Sequence, residues 1–318
     1  MSTYFRGFGS MEWMMTGLVS VARRMILIGL AMAALVAAAT DQAGATVKVV
    51  ASTNDLGSIA AFVGGDRVEV TAICRPTADP HRVEVLPSYM VRVAKAGLYL
   101  KVGLGLDQWA DGIIDGSHNG KLTVVDCSAG VSVIEKPTGK VDASMGDVHP
   151  DGNPHYWLNP ANGAVVAKSI AAALGRIDPA GAAGFDARAA EFERAATAMA
   201  EKCMATGAAL ASRSIITYHR SWSYFAMSCG LDVVSTVEPV PGIPPTGRHL
   251  KELVDIIHAD KVLLVLSEPY FSEDAGKFLA RETGVRVAVA SPSCATPTAP
   301  SYLEHFDQML ALLKGGTP

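Results

Sequence analysis

A chain of 318 residues with a formal net charge of −4 lacks the basic surface that nucleic-acid binding favours, and its length exceeds one typical domain. Its five cysteines, at 74, 127, 203, 229 and 294, show no C-x-x-C spacing, which argues against a structural zinc knuckle.

Arg23 and Arg24 precede the apolar run MILIGLAMAALVAAAT, which leads to DQAGA and then to the first strand-like segment. A positive n-region, a short apolar stretch and a small-residue site predict a cleaved secretory signal over residues 1–45. The run falls short of the ~20 residues that span a bilayer. The residues before Arg23 read as an over-extended start. Cleavage removes Arg6, Arg23 and Arg24 against Glu12 and Asp41, so the charge of −4 becomes −5 in a soluble, periplasmic protein.

The rest of the chain reads as two β/α halves. VKVVAS, RVEVTAIC, GLYLKVG and LTVVDCS are the strands of the first, with helices over DLGSIAAFVGG, SYMVRVAKA and DQWADGII. SIITYH, LDVVSTVEP, KVLLVLSEP and VRVAVASP are the strands of the second. They alternate with SWSYFAMSCG, HLKELVDIIHAD and EDAGKFLARETG, and SYLEHFDQMLALLKG closes the chain. Such alternation predicts an α/β fold of two lobes, each a parallel sheet flanked by helices. The halves cover residues 46–183 and 212–318, with a linking helix over 184–211. In that helix Phe185, Ala189, Phe192, Ala196, Met199 and Cys203 recur every three or four residues, one apolar face about 34 Å long between Gly184 and Thr206. The pattern alone leaves open whether it joins the lobes or packs within one. In an oxidising compartment a Cys229–Cys294 disulfide is the expected pairing.

Three histidines stand apart by context. His81 follows the second strand, His219 ends SIITYH, and His155 sits in the proline-bounded loop GNPHYWLNP. Ligands of open α/β sheets gather beyond the carboxyl ends of strands, so two facing lobes would bring these imidazoles together. His118, His249, His258 and His305 fall in polar loops or on helix faces and are expected to be solvated.

TADPHRVEVLPS, GNPHYWLNP and TYHRSWSYFAMSCGLDVV closely resemble the histidine segments of the zinc/manganese-binding receptors of bacterial ABC importers. VEPVPGIPPTGRHLKEL, SEPYF and GDVHPDGNPHYW point the same way, and the resemblance covers essentially the whole mature chain. It implies two pseudo-symmetric lobes joined by a long rigid helix, one metal ion between them, no catalysis, a membrane permease as partner, and a monomer. Three imidazoles suit zinc, whereas manganese prefers more oxygen. In manganese-type members a carboxylate takes the place of His219. The family pattern ends in an aspartate where this chain has Ser291, so the fourth ligand is open among Glu268, His149 and water, and Glu84 is expected to orient His81. The competing readings are a secreted zinc hydrolase with a His₃ site, and an adhesin or zinc buffer of the same fold. The chain has no H-E-x-x-H helix for the hydrolase.

Overall fold

The computed structural model describes residues 46–139, 141 and 145–316; the expected signal at 1–45 lies outside the described residues. Two parallel sheets share one plan. In the first, β1 (Val47–Ala51), β2 (Val68–Ala72), β3 (Leu98–Lys101) and β4 (Thr123–Asp126) lie in the order β2-β1-β3-β4. In the second, β5 (Ser214–Thr217), β6 (Asp232–Thr236), β7 (Val265–Ser267) and β8 (Val287–Val289) lie in the order β6-β5-β7-β8. Growth of each sheet changes direction after its second strand. This opens a crevice beyond the carboxyl ends of β1 and β3, and likewise of β5 and β7.

Burial follows position in the sheet. Central β1 exposes only Lys48, because helices cover both faces, whereas edge strand β4 alternates half-buried and exposed residues. The expected strand KVLLVL is longer than the observed β7. Lys261 takes a positive φ of 50° after the preceding helix, and Leu264 is already buried before the three-residue ladder begins.

The helices between strands are α1 (Asn54–Gly64), α2 (Pro87–Val93), α3 (Trp109–Ser117), α4 (Pro160–Ile177), α5 (Ala182–Ala208), α6 (Ser223–Cys229), α7 (Gly247–Ala259), α8 (Asp274–Thr283) and α9 (Ser301–Leu313). Among the described residues, no helix is long and apolar enough to cross a membrane. Pro160 opens α4, and the Asn159 side chain caps it by accepting from the Ala161 amide at 2.9 Å. The turn Pro179–Gly181 confines the expected break, so Ala182–Gly184 join α5, whose 27 residues run about 40 Å.

The apolar face of α5 is buried as its periodicity predicts. Phe192 meets Phe62 of α1 edge-on at 5.3 Å and Tyr302 of α9 at 5.8 Å. One hydrophobic cluster runs from Val49 and Leu56 through Phe192 to Phe225 and Leu266, so it takes in both sheets. After β8 the chain returns to the first half. Asn54 Nδ2 donates to the carbonyls of Cys294 and Ala295, each at 3.0 Å, and Asp55 accepts from the Cys294 amide and the Ser293 hydroxyl. Trp157 Nε1 donates to the Pro292 carbonyl at 2.8 Å. These bonds seat α9 against α1 and α5.

The expected disulfide does not form, since all five cysteines are free and buried. Cys294 belongs to the returning segment, where its thiol donates to the Thr296 carbonyl at 3.3 Å. Cys229 instead ends α6 and faces Cys203 of α5.

The α5–α6 contact is close because residue 207 is glycine. A Cβ there would overlap the Cys229 carbonyl, and backbone cannot yield as a side-chain tip can. Gly207→Ala is expected to lower stability by roughly 1–3 kcal/mol in urea denaturation. Gly120→Ala, with nothing within 4 Å, should change it by no more than about 0.5 kcal/mol. Equal effects would show that the two helices are not in backbone contact.

Candidate metal centre

His81, His155 and His219 converge. One ring nitrogen from each lies within 4.8 Å of the other two. Ring centroids are 5.1 Å apart for His81–His155, 5.3 Å for His81–His219 and 5.5 Å for His155–His219. The rings are inclined by 56°, 78° and 75°, as three ligands approaching one point must be. A tetrahedral ion with nitrogen at 2.0–2.1 Å needs donors about 3.3 Å apart, which fits inside this triangle's bound.

Each imidazole is held by its Nδ1. In Asp79-Pro80-His81 the aspartate Oδ1 accepts from the His81 amide at 3.0 Å and meets Nδ1 at 2.8 Å. Asn153-Pro154-His155 repeats the device, with Asn153 Oδ1 2.9 Å from both the His155 amide and Nδ1. The asparagine is itself oriented, because its Nδ2 donates to the Arg220 carbonyl at 2.8 Å and to Glu135 Oε2 at 3.0 Å. Proline between the two residues restricts the turn and lends no competing amide. His219, just past β5, is held at 2.7 Å by Glu238 Oε2, which also accepts from the Gly242 amide at 3.0 Å. Acceptors on Nδ1 fix the proton there and leave Nε2 as the free donor on all three rings.

The surroundings keep the His155 ring neutral. Burial, then the neighbouring imidazoles, push His155 well below the ordinary histidine range. Burial works to raise Asp79, but its bonds and charge interaction with His81 outweigh that and leave it lowered, hence ionised. A cavity of about 40 Å³ lies against His149, Asn153, His155 and His219, room for an ion but far below the 300–1,000 Å³ typical of organic ligands. A wider cleft of about 320 Å³ reaches His81 and His219 past Arg82, Asp147 and Phe271.

The other expected contributors lie elsewhere. Glu268 is outside the converging group; it is fully buried, and burial raises its pKa to about 8 against the opposing pull of hydrogen bonds from Ser221 and the His219 backbone. Ser291 directs its hydroxyl at the Pro76 and Ser293 carbonyls. Glu84 is exposed, and the carboxylate that orients His81 is Asp79. His149 stacks on His81 at 5.3 Å and 25°, outside the group of three. His118 and His258 are exposed and His249 is half-buried. His305, expected in solvent, is instead buried in the α9 face, which lowers its pKa to about 4. Sequence reasoning missed Asp79, Asn153 and Glu238. The first two were open to discovery through the repeated Asp/Asn-Pro-His tripeptide.

The family model for ZnuA, the periplasmic component A of a zinc-uptake complex, matches residues 49–316. The iron-binding protein YfeA of Yersinia pestis is 28% identical over 286 residues, covering 85% of this chain and 86% of its own. The zinc-binding lipoprotein AdcA of Streptococcus pneumoniae is 22% identical over 270 residues, covering 80% of this chain and 52% of AdcA, so the chain spans about half of that relative. A crystal structure of ZnuA superposes with a TM-score of 0.74 at 24% identity, over 85% of this chain and 99% of that one, which establishes a shared fold.

Glu268 gives the metal-free protein a pH signature. Its pKa rises from 4.5 to about 8 on folding, so its contribution is full below pH 4.5 and is lost as pH climbs through 8. Asp55, raised to about 6 by burial, and His149 and His305, lowered to about 4 by burial, act chiefly below pH 6.5. Between pH 6.5 and 8, in chelator, stability should therefore fall by on the order of 1 kcal/mol per pH unit, and Glu268→Gln should flatten that slope. An unchanged slope in urea titrations would mean that Glu268 ionises freely.

Proposed function

The chain belongs to the family of periplasmic component A of zinc-uptake complexes, and from that membership we propose that it captures Zn²⁺ and delivers it to the permease of an ABC importer. Residues 1–45 export it as a cleaved signal, and it acts as a monomer outside the cytoplasm. It binds and releases its cargo without catalysis.

One observation carries this reading. Three imidazoles with their Nδ1 atoms already engaged present three Nε2 lone pairs to one another, from loops of both halves. His81 and His155 come from the first half and His219 from the second, so a single ion would bridge them. Related receptors differ in their metal, since YfeA is described as iron-binding and AdcA as zinc-binding. The donor set of this chain supports zinc among these ions. Nitrogen ligands favour zinc, and manganese, which prefers oxygen, would find no carboxylate among the three. Copper and nickel would also bind such a site in vitro by their place in the Irving–Williams order.

Competition titration should give a zinc Kd near nanomolar, about −12 kcal/mol, with manganese weaker by several orders of magnitude. His155→Ala should abolish tight binding. Asn153→Ala and Asp79→Ala, which free a ring without removing a donor, should each weaken it roughly 10–100-fold. Deletion of the protein should cost the cell zinc uptake under chelator stress. Manganese bound as tightly as zinc, or no effect of His155→Ala, would defeat the proposal.

A further inference from the structure

We propose that His149 supplies a fourth nitrogen to the bound cation, making the loaded centre an all-imidazole tetrahedron; the inference rests on the metal-receptor reading above. His149 Nε2 is buried and has no hydrogen-bond partner, a state that buried polar atoms rarely occupy without a reason. Its ring makes a hydrogen bond to the Leu104 backbone, and Nδ1 faces the same turn, 3.4 Å from where a Cβ on Gly105 would stand. The arrangement repeats that of His81, His155 and His219: one nitrogen committed to an acceptor and the other left open. His149 also lines the 40 Å³ cavity together with His155 and His219.

The loop that carries it is anchored on the second half. The Asp147 amide donates to the Pro241 carbonyl at 2.8 Å, and Gly146, at a φ of 64°, approaches the same carbonyl too closely for any side chain. Pro241 lies in the turn whose Gly242 amide bonds Glu238, the residue that holds His219. The His149 loop and the His219 support are thus one connected unit.

The two oxygens that the sequence offers for the role are engaged or set apart. Ser291 is bonded to two carbonyls, and Glu268, unlike His149, lines neither the 40 Å³ cavity nor the cleft that reaches His81. His149 itself stands on the His81 ring, outside the group of three. It therefore joins after the ion is seated, by leaving its stack and turning Nε2 inward. Four nitrogens in place of three nitrogens and an oxygen raise the preference for zinc over manganese.

The test is X-ray absorption at the zinc edge on the loaded full-length mature protein, with His149→Ala and, to keep side-chain bulk, His149→Gln. The expected result is four imidazoles in the wild type and three in both variants. Zinc affinity in the variants should fall at least about tenfold. With Co²⁺ as probe, the intense visible bands of a tetrahedral nitrogen site should weaken in both variants. Three imidazoles in the wild type would overturn the proposal whatever the affinities, and leave the three-histidine receptor standing. Failure of the wild type to bind zinc at all would instead overturn the receptor reading, and this proposal with it.

Discussion

The site depends on a hydrogen bond made on the far side of each imidazole. A neutral histidine can donate from either nitrogen, and a ring free to choose would point its lone pair at random. Here Asp79, Asn153 and Glu238 accept at Nδ1 within 2.7–2.9 Å, so tautomer and ring direction are set before any cation arrives. Preorganisation of this kind lowers the ordering cost that binding would otherwise meet. It also gives small polar residues a part in the site beside the ligands. Asn153 works only because Glu135 and the Arg220 carbonyl hold its amide the right way round.

Sheet topology brings these supports together. Both sheets reverse their growth at the second strand, so both place loops over a crevice at their carboxyl ends. His219 leaves β5 there directly, and Glu238 leaves its neighbour β6, which is why residues 19 apart in sequence meet at 2.7 Å. The halves are kept in register by α5 and by the returning segment at residues 292–302, bonded to Asn54, Asp55 and Trp157. A continuous hydrophobic cluster through Phe192 makes this frame stiff. Such stiffness limits how far the rings can wander between loading and release.

Much of this was legible in the sequence, for identifiable reasons. Strand and helix alternation is a local signal, and so is the apolar face of α5; both depend only on periodicity. The three histidines were legible because each follows a strand or a proline-bounded turn. What escaped was tertiary. Glu84 and Asp79 are both near His81 along the chain, and nothing local says that Glu84 faces solvent while Asp79 turns back on the ring. His305 looks polar on its helix, yet α9 folds back over the first half and buries it. The Cys229–Cys294 expectation failed for the same reason, since proximity in the second half of the sequence does not survive the return of the chain after β8. Glu268 follows β7 directly, and a strand-end position locates a loop but not the direction of a side chain.

Charge supplies the last constraint. A divalent ion enclosed by neutral imidazoles would carry its full charge into a poorly solvated site, and burying an uncompensated charge is costly. The acceptors behind His81 and His219 are carboxyl groups, Asp79 and Glu238, each one ring removed from the ion. Two carboxylates at that distance balance a dication without touching it. They strengthen the ligands through the Nδ1 proton and leave the coordination sphere to nitrogen. A third ionised carboxylate would leave the loaded site negative, and the depth of Glu268 opposes this by favouring the protonated form. Nitrogen at the centre with charge held one ring further out combines an imidazole donor set with compensation of a dication.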